Sequence, residues 1–179
     1  MKPNLTLLTA LLLVPLTCFG DDSTMQLQVS PNGRFLQYAD GTPFFYLADT
    51  AWMLTNKLTE EEARRLFADR SAKGFTVIQS LIFRDLFVPN TPNVHGVRPF
   101  ANEADMYAAK LNPKWLDGVV RITKMAAEHG LVMAWLPTWG DKWSEHNNSA
   151  GPVIFDKDSA EVYGRDLSEA LGKCDNVIW

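Results

Sequence analysis

The stretch GFTVIQSL, residues 74–81, decides the fold because it has the pattern of a strand buried on both faces. A glycine precedes the mostly apolar run Phe75–Leu81, which is typical of a strand inside a parallel sheet. Upstream, Thr59 and Glu62 have the spacing of a capping box, and apolar residues follow at helical spacing to about Lys73. A strand entered directly from a helix predicts a β/α repeat.

The same alternation extends in both directions from this strand. The run Phe44–Ala48 predicts an earlier buried strand, and Leu131–Leu136 predicts a later one. A helix that begins at Asn112-Pro113 separates the second and third strands, with proline at the first helical position. A further helix over about Lys157–Leu171 leads to a fourth strand at Asn176–Trp179. Alternating buried strands and helices predict a parallel sheet with right-handed crossovers.

A β-hairpin is predicted ahead of the first strand, because Asn32-Gly33 lies between two short apolar stretches. Asp49-Thr50-Ala51-Trp52 stands where a dinucleotide-binding fold would carry a glycine-rich loop, so no such cofactor is predicted. A complete (β/α)8 barrel needs about 250 residues. We therefore predict an α/β fold that forms the N-terminal half of a (β/α)8 TIM barrel after a β-hairpin, with the barrel incomplete in this chain. A small flavodoxin-like sheet is the alternative.

The amino terminus has the pattern of an export signal. Lys2 precedes the apolar run Leu5–Phe19, and Asp21-Asp22 follows it. We predict that residues 1–20 are a signal peptide and that 21–179 is one domain, secreted, periplasmic or held at the cell surface. Cys18 allows a lipid anchor as an alternative reading of the same segment.

Composition excludes several classes of protein. The 179 residues are 46% hydrophobic and 21% charged, which is typical of a folded domain. The net charge of −4, without a basic run, argues against a nucleic-acid partner. No apolar window is long enough to span a membrane. With two cysteines and three histidines, the usual zinc clusters are excluded, and we predict neither metal nor cofactor.

Polar and aromatic residues lie at or after the ends of three predicted strands, where parallel α/β folds bind ligands. They are Asp49 and Trp52 after the first strand, Gln79, Asn93 and His95 with the second, and Trp139, Asp141, Lys142 and Trp143 after the third. Indole faces stack on sugar rings, and carboxylate, amide and ammonium groups bind sugar hydroxyls. This combination predicts a carbohydrate site. A sugar-binding module without hydrolytic chemistry, or a small regulatory α/β domain, would be compatible with the same pattern.

Four segments carry a family resemblance: VSPNGR at 29–34, PFFYLADTAW at 43–52, GFTVIQ at 74–79 and LPTWGDKW at 136–143. In this order they resemble the apiosidase-like glycoside hydrolases, glycoside hydrolase family 140. The resemblance implies a (β/α)8 barrel, usually followed by a small β-sandwich. It also implies hydrolysis of apiose-containing side chains of plant pectin by secreted bacterial enzymes.

The resemblance further implies that the catalytic carboxyl groups lie beyond Trp179, the acid/base on a Gly-Gly-Asp-type segment after the fourth strand. We therefore expect no catalytic residue in this chain. Asp49 and Asp141 are assigned to substrate hydroxyls, and Lys142 to holding Asp141 or a sugar oxygen. His95 stands where an aromatic residue such as Tyr is expected. The prediction is a secreted glycosidase acting on pectin-type saccharides, present as a fragment inactive by itself. The alternative is a non-catalytic carbohydrate-binding module.

Overall fold

The computed structural model describes residues 25–83, 90–144 and 152–179. The predicted signal peptide, with Cys18, lies outside these described residues. The strands are β1 (Leu27–Val29), β2 (Leu36–Tyr38), β3 (Ala48–Thr50), β4 (Val77–Leu81), β5 (Val132–Leu136) and β6 (Val177–Ile178). The helices are α1 (Leu54–Lys57), α2 (Glu60–Ala72), α3 (Glu103–Tyr107), α4 (Pro113–Ala127) and α5 (Lys157–Leu171). A 3₁₀ turn, Gly140–Lys142, follows β5.

The strands form two sheets. Strands β1 and β2 pair antiparallel as the predicted hairpin. Strands β3 to β6 form a parallel sheet whose spatial order is the chain order. Helices α2, α4 and α5 connect successive strands, so the predicted β/α alternation is confirmed. Because the strands follow one another in space as they do in sequence, each β/α unit lies beside the one before it, always in the same direction across the sheet.

The two faces of the parallel sheet have different partners. Ile78, Met133 and Trp135 belong to a large apolar cluster with residues of α2, α4 and α5, such as Phe67 and Leu167. This is the helix-facing side of the sheet.

The opposite side, here called the inner face, packs against the hairpin. Ala48, Val77 and Val132 form a second cluster with hairpin residues such as Leu36 and Tyr38. These three residues begin their strands, and Ala134 in the middle of β5 belongs to the same cluster, so the hairpin covers the amino half of the inner face. The carboxyl end of the inner face remains available for a site.

The helices begin where the sequence predicts. The Thr59 hydroxyl accepts a hydrogen bond from the Glu62 N–H, and the Glu62 carboxylate accepts one from the Thr59 N–H, which completes the capping box of α2. The Asn112 side chain caps α4, with Pro113 at the first helical position. The Asp156 side chain caps α5. These bonds satisfy N–H groups that have no partner within the helix.

The prediction of a first strand at Phe44–Ala48, buried on both faces, is wrong. The strand is Ala48–Thr50, and Phe45 is 73% exposed. Phe44 is buried because its ring packs edge-on against Tyr38, 5.5 Å between centroids, and its N–H donates to Leu36 O. Residues 44–47 therefore extend the hairpin's packing before the sheet begins. Among the described strands, β3 pairs with β4 alone, so the other edge of β3 is unpaired.

Candidate functional site

The turn after β3 is bonded to β4, and this positions the first aromatic residue of the site. The Ala51 N–H donates to Gln79 O at 2.8 Å, and the Ser80 hydroxyl donates to Ala51 O at 2.8 Å. Trp52 follows directly and is half-buried. The indole is therefore held at the carboxyl end of β3.

Trp139, which follows β5, meets Trp52 at this edge. Their ring centroids lie 5.5 Å apart and their planes meet at 79°, an edge-to-face contact. Trp139 remains 42% exposed. The structure thus joins two of the predicted site residues, 87 positions apart in the chain, into one aromatic surface, here called the tryptophan pair.

Gln79 lies in β4, between β3, which leads to Trp52, and β5, which leads to Trp139. Its register partners are Thr50 in β3 and Ala134 in β5. Side chains alternate along a strand, and Val77 packs against the hairpin, so Gln79 also belongs to the inner face. The half-buried Gln79 is the middle residue of β4 and lies on the inner face, bonded through its carbonyl to the turn that carries Trp52.

Asp141 and Lys142, in the 3₁₀ turn after β5, form a buried ion pair. The Lys142 Nζ lies 2.8 Å from Asp141 Oδ2, and the two side chains are 2% and 4% exposed. The Lys142 carbonyl accepts from the N–H groups of Ile154 and Phe155. Asp141 Oδ1 has no hydrogen-bond partner among the described residues. The predicted contact between Lys142 and Asp141 is present, and both side chains are buried in it.

Asp49, in β3, is bonded to a residue of α2. Its carboxylate accepts a hydrogen bond from the Arg70 guanidinium of α2, 2.5 Å from Nε to Oδ2. Among the interactions that raise the pKa of Arg70 above its ordinary value, this hydrogen bond has the largest effect. Because Asp49 pairs in register with Ile78, whose side chain contacts the helices, it faces α2 and not the inner face. The ion pair joins β3 and α2, and the role of Asp49 in binding substrate hydroxyls stays a prediction.

Asn93 and His95 line a small cavity of about 70 Å³ beside α1, α2 and α4, which neither tryptophan of the pair lines. The Asn93 side chain accepts from the N–H groups of His95 and Val97 and so closes its own turn. The structure gives Asn93 a local structural role and leaves His95 exposed. It does not bring either residue into the tryptophan pair.

Trp143 faces another surface. It is 61% exposed and, with Phe155, Tyr163 and Trp179, lines an apolar groove of about 480 Å³ along α5. Burial raises the pKa of the Tyr163 hydroxyl well above its ordinary value of 10, so the group stays protonated and donates to Pro137 O at 2.5 Å. That bond ties α5 to the segment that carries Trp139.

One structural residue near the predicted site escapes sequence reasoning. Arg70 lies 21 positions from Asp49 on a different element, and no local spacing relates the two. Within residues 25–83, 90–144 and 152–179, no cluster of acidic, histidine and cysteine side chains is arranged to hold a metal ion. In the same ranges, no helix has the length and apolarity needed to cross a membrane.

Comparison with solved structures relates the chain to carbohydrate-active enzymes. A structure described as a glycoside hydrolase is 28% identical and has a TM-score of 0.70; the match covers 86% of this chain and 33% of that one. A glycoside hydrolase family 5 structure from Bacteroides vulgatus is 25% identical with a TM-score of 0.71, covering 86% and 31%.

A further glycoside hydrolase structure from Bacteroides vulgatus, 16% identical with a TM-score of 0.64, shares the fold. The match covers 89% of this chain and 32% of that one. The chain therefore spans about a third of the length of these proteins and forms a partial barrel of the glycoside hydrolase type, as predicted. No curated protein sequence matches the chain significantly.

The family model for the apiosidase-like catalytic domain matches residues 30–179, which include all nine predicted site residues. The match confirms the resemblance seen in the four sequence segments, and it agrees with the glycoside hydrolase folds. The chain belongs to the apiosidase-like catalytic-domain family.

Proposed function

We propose that this chain supplies the saccharide-binding part of a secreted glycoside hydrolase that acts on pectin-type, apiose-containing plant saccharides. The tryptophan pair is the observation that carries the proposal. Two indoles in contact, one of them 42% exposed, offer an apolar surface to a sugar ring at the end of the sheet where barrel enzymes bind ligands.

Polar groups at the same edge complement this surface. The Gln79 amide can both donate to and accept from sugar hydroxyls, and its half-buried position orients it. Thr50 is its exposed register partner in β3. An aromatic surface beside amide and hydroxyl groups suits a neutral, hydroxyl-rich ligand.

Hydrolysis is assigned to the complete enzyme and not to this chain alone. Glycosidases use two carboxyl groups beside the scissile bond. Of the predicted acidic site residues, Asp49 is bound by Arg70 and Asp141 is buried against Lys142. Neither is free to transfer protons to a substrate, so we assign neither to catalysis.

Membership of the apiosidase-like family supports the proposed substrate class. The charge and hydrophobic pattern of residues 1–20 supports the proposed secretion. Sequencing the amino terminus of the exported protein checks the second point: cleavage after about residue 20 supports it, and an intact Met1 contradicts it.

The binding experiment uses the purified chain and an apiose-containing pectin oligosaccharide, with calorimetry and a parallel assay for released sugar. We expect binding without turnover. Trp139→Ala should weaken binding about tenfold, equivalent to roughly 1.4 kcal/mol for a lost aromatic stacking surface.

Phe35→Ala is the matched control. Phe35 is an aromatic residue of nearly the same exposure, 43%, but it lies in the hairpin segment at the amino end of the sheet. Its loss should leave the affinity unchanged. Unchanged binding in Trp139→Ala removes the tryptophan pair from the site. Equal affinity for a pectin oligosaccharide without apiose removes the substrate class, and sugar release by this chain contradicts the assignment of catalysis elsewhere.

A further inference from the structure

The small cavity beside α1, α2 and α4 lies apart from the tryptophan pair and combines apolar walls with a charged rim. The buried residues Trp115 and Val119 of α4 line its apolar part. Its volume is about 70 Å³. A single enclosed water needs roughly 10–15 Å³ of such space, so the cavity has room for a group of several heavy atoms.

Hydrogen bonds hold the walls of this cavity in place. The Trp115 Nε1–H donates to the backbone carbonyl that directly follows β4, at 2.9 Å. The Val94 N–H donates to Asn56 O at 3.1 Å, which ties the loop that carries His95 to α1. The Asn93 side chain closes the same loop through its two backbone bonds. The cavity is therefore a formed feature of the chain and needs no ligand to shape it.

Gly118 of α4 keeps this cavity open. It lies inside the helix and lines the cavity, and its φ is not positive, so the backbone there does not require glycine. Glycine disfavours a helix relative to alanine. A Cβ added at this position would have Arg121 Nη2, 3.9 Å away, as its nearest listed neighbour, so a side chain would enter the cavity in front of the guanidinium.

Two cationic side chains flank Gly118 on the same side of α4. Lys114 precedes it by four residues and Arg121 follows it by three, and all three line the cavity. Within the described residues, Lys114 forms no ion pair. Arg121 Nε donates to Glu60 Oε1 at 2.9 Å, which neutralises one of the two charges and leaves the Nη groups for another acceptor. His95 lines the cavity from the facing loop.

We propose that this cavity binds the carboxylate group of a small organic acid or of an acidic sugar residue. The Lys114 ammonium supplies the net charge, and the Nη edge of Arg121 supplies N–H donors in the planar arrangement that suits a carboxylate. The missing side chain at Gly118 lets the anion approach the helix closely, and the apolar wall receives the carbon that bears the carboxylate. The proposal is independent of the proposed saccharide surface, because neither tryptophan of the pair lines this cavity.

The test titrates the full chain with three probes at constant pH and ionic strength, and follows the backbone amide signals of Gly118 and His95 by NMR. Galacturonate carries a carboxylate on a sugar, galactose is its neutral counterpart, and acetate is a carboxylate alone. We expect saturable shifts with galacturonate, with a Kd of about a millimolar for an open charged site, and none with galactose. Equal binding of acetate identifies a free acid as a sufficient ligand, whereas binding of galacturonate alone identifies an acidic sugar.

Substitutions separate this cavity from general charge effects. Lys114→Gln should weaken galacturonate binding about fivefold, the loss of one exposed charge contact. Lys110→Gln is the matched control, because Lys110 is exposed but does not line the cavity. Gly118→Leu should abolish binding without lowering the melting temperature, since leucine favours a helix and its side chain occupies the cavity. Gly164→Leu, inside α5 and away from the cavity, should bind as the wild type does.

Absence of saturable binding by both carboxylates overturns the proposal, and so does galactose binding as tight as that of galacturonate. Equal losses in Lys110→Gln and Lys114→Gln, or wild-type affinity in Gly118→Leu, have the same consequence. Trp139→Ala should leave galacturonate binding unchanged, so a failed saccharide surface and a failed anion cavity give different results. A loss of galacturonate binding in Trp139→Ala places the anion at the tryptophan pair and contradicts the assignment to this cavity.

Discussion

At the scale of single residues, the buried Asp141–Lys142 pair sets the geometry after β5. Two neighbouring residues in one 3₁₀ turn place opposite charges 2.8 Å apart, away from water. The attraction between the two charges works against the large cost of removing them from water. The Lys142 carbonyl also accepts hydrogen bonds from the N–H groups of Ile154 and Phe155. The ion pair and these backbone bonds therefore tie the turn, which begins directly after Trp139, to residues 154–155.

Replacing Lys142 by methionine should destabilise the fold by about 3–5 kcal/mol, because Asp141 would remain buried without a counter-charge. The double variant Asp141→Asn with Lys142→Met should recover part of this loss, since no isolated charge remains. Urea denaturation of the two variants and the wild type measures the difference. A loss below about 1 kcal/mol in the single variant would show that water reaches the pair.

At the scale of elements, α5 depends on its amino-terminal cap. The Asp156 carboxylate accepts from the Ser159 N–H at 2.7 Å and from the Ser159 hydroxyl at 2.8 Å. These bonds, the backbone one first, hold the pKa of Asp156 below its ordinary value of 3.8. A carboxylate with a lowered pKa stabilises the fold above the unfolded pKa and loses that contribution as the pH falls through the folded one.

Asp156→Asn keeps an acceptor oxygen but cannot titrate. The difference in unfolding free energy between wild type and Asp156→Asn should therefore be constant above about pH 5 and shrink as the pH falls through 3.8 toward the lowered folded pKa. Urea midpoints across this range measure it. Ser159→Ala retains the backbone N–H, so it should keep most of the pH dependence of the wild type. Parallel curves for wild type and Asp156→Asn would contradict the role of the cap.

At the scale of the whole molecule, the described sheet has two strands, β3 and β6, that each pair on one side only. Before β3, Phe45, Tyr46 and Leu47 are 73%, 46% and 38% exposed. An apolar segment beside an open strand is a surface on which chains associate.

We expect the purified chain to self-associate as its concentration rises, and Phe45→Lys to reduce this, because a charge at an open edge opposes pairing. Sedimentation velocity over a concentration series measures the effect. Val29→Lys, at 65% exposure in the hairpin, controls for added charge at an exposed apolar position. An equal effect of the two substitutions would show that the β3 edge is not the contact.

The sequence by itself determined the order of the strands and of the three long helices, but it did not predict the short helices α1 and α3. Capping residues and helical periodicity located α2, α4 and α5, and apolar runs located β4 and β5, because these signals are local and act through the backbone. The family segments also identified the chain's class. The first strand was misplaced because an apolar run such as Phe44–Ala48 is the same whether it is buried in a sheet or packs on a hairpin at one end.

Only the tertiary structure decided which predicted site residues meet. Trp52 and Trp139 converge because β3, β4 and β5 lie in chain order and parallel. Asp49 turns to Arg70, because register places it on the helix-facing side, while Asn93 is used in its own turn. Such partners depend on strand register and on contacts between residues far apart in the chain. Periodicity and local spacing contain no information about either.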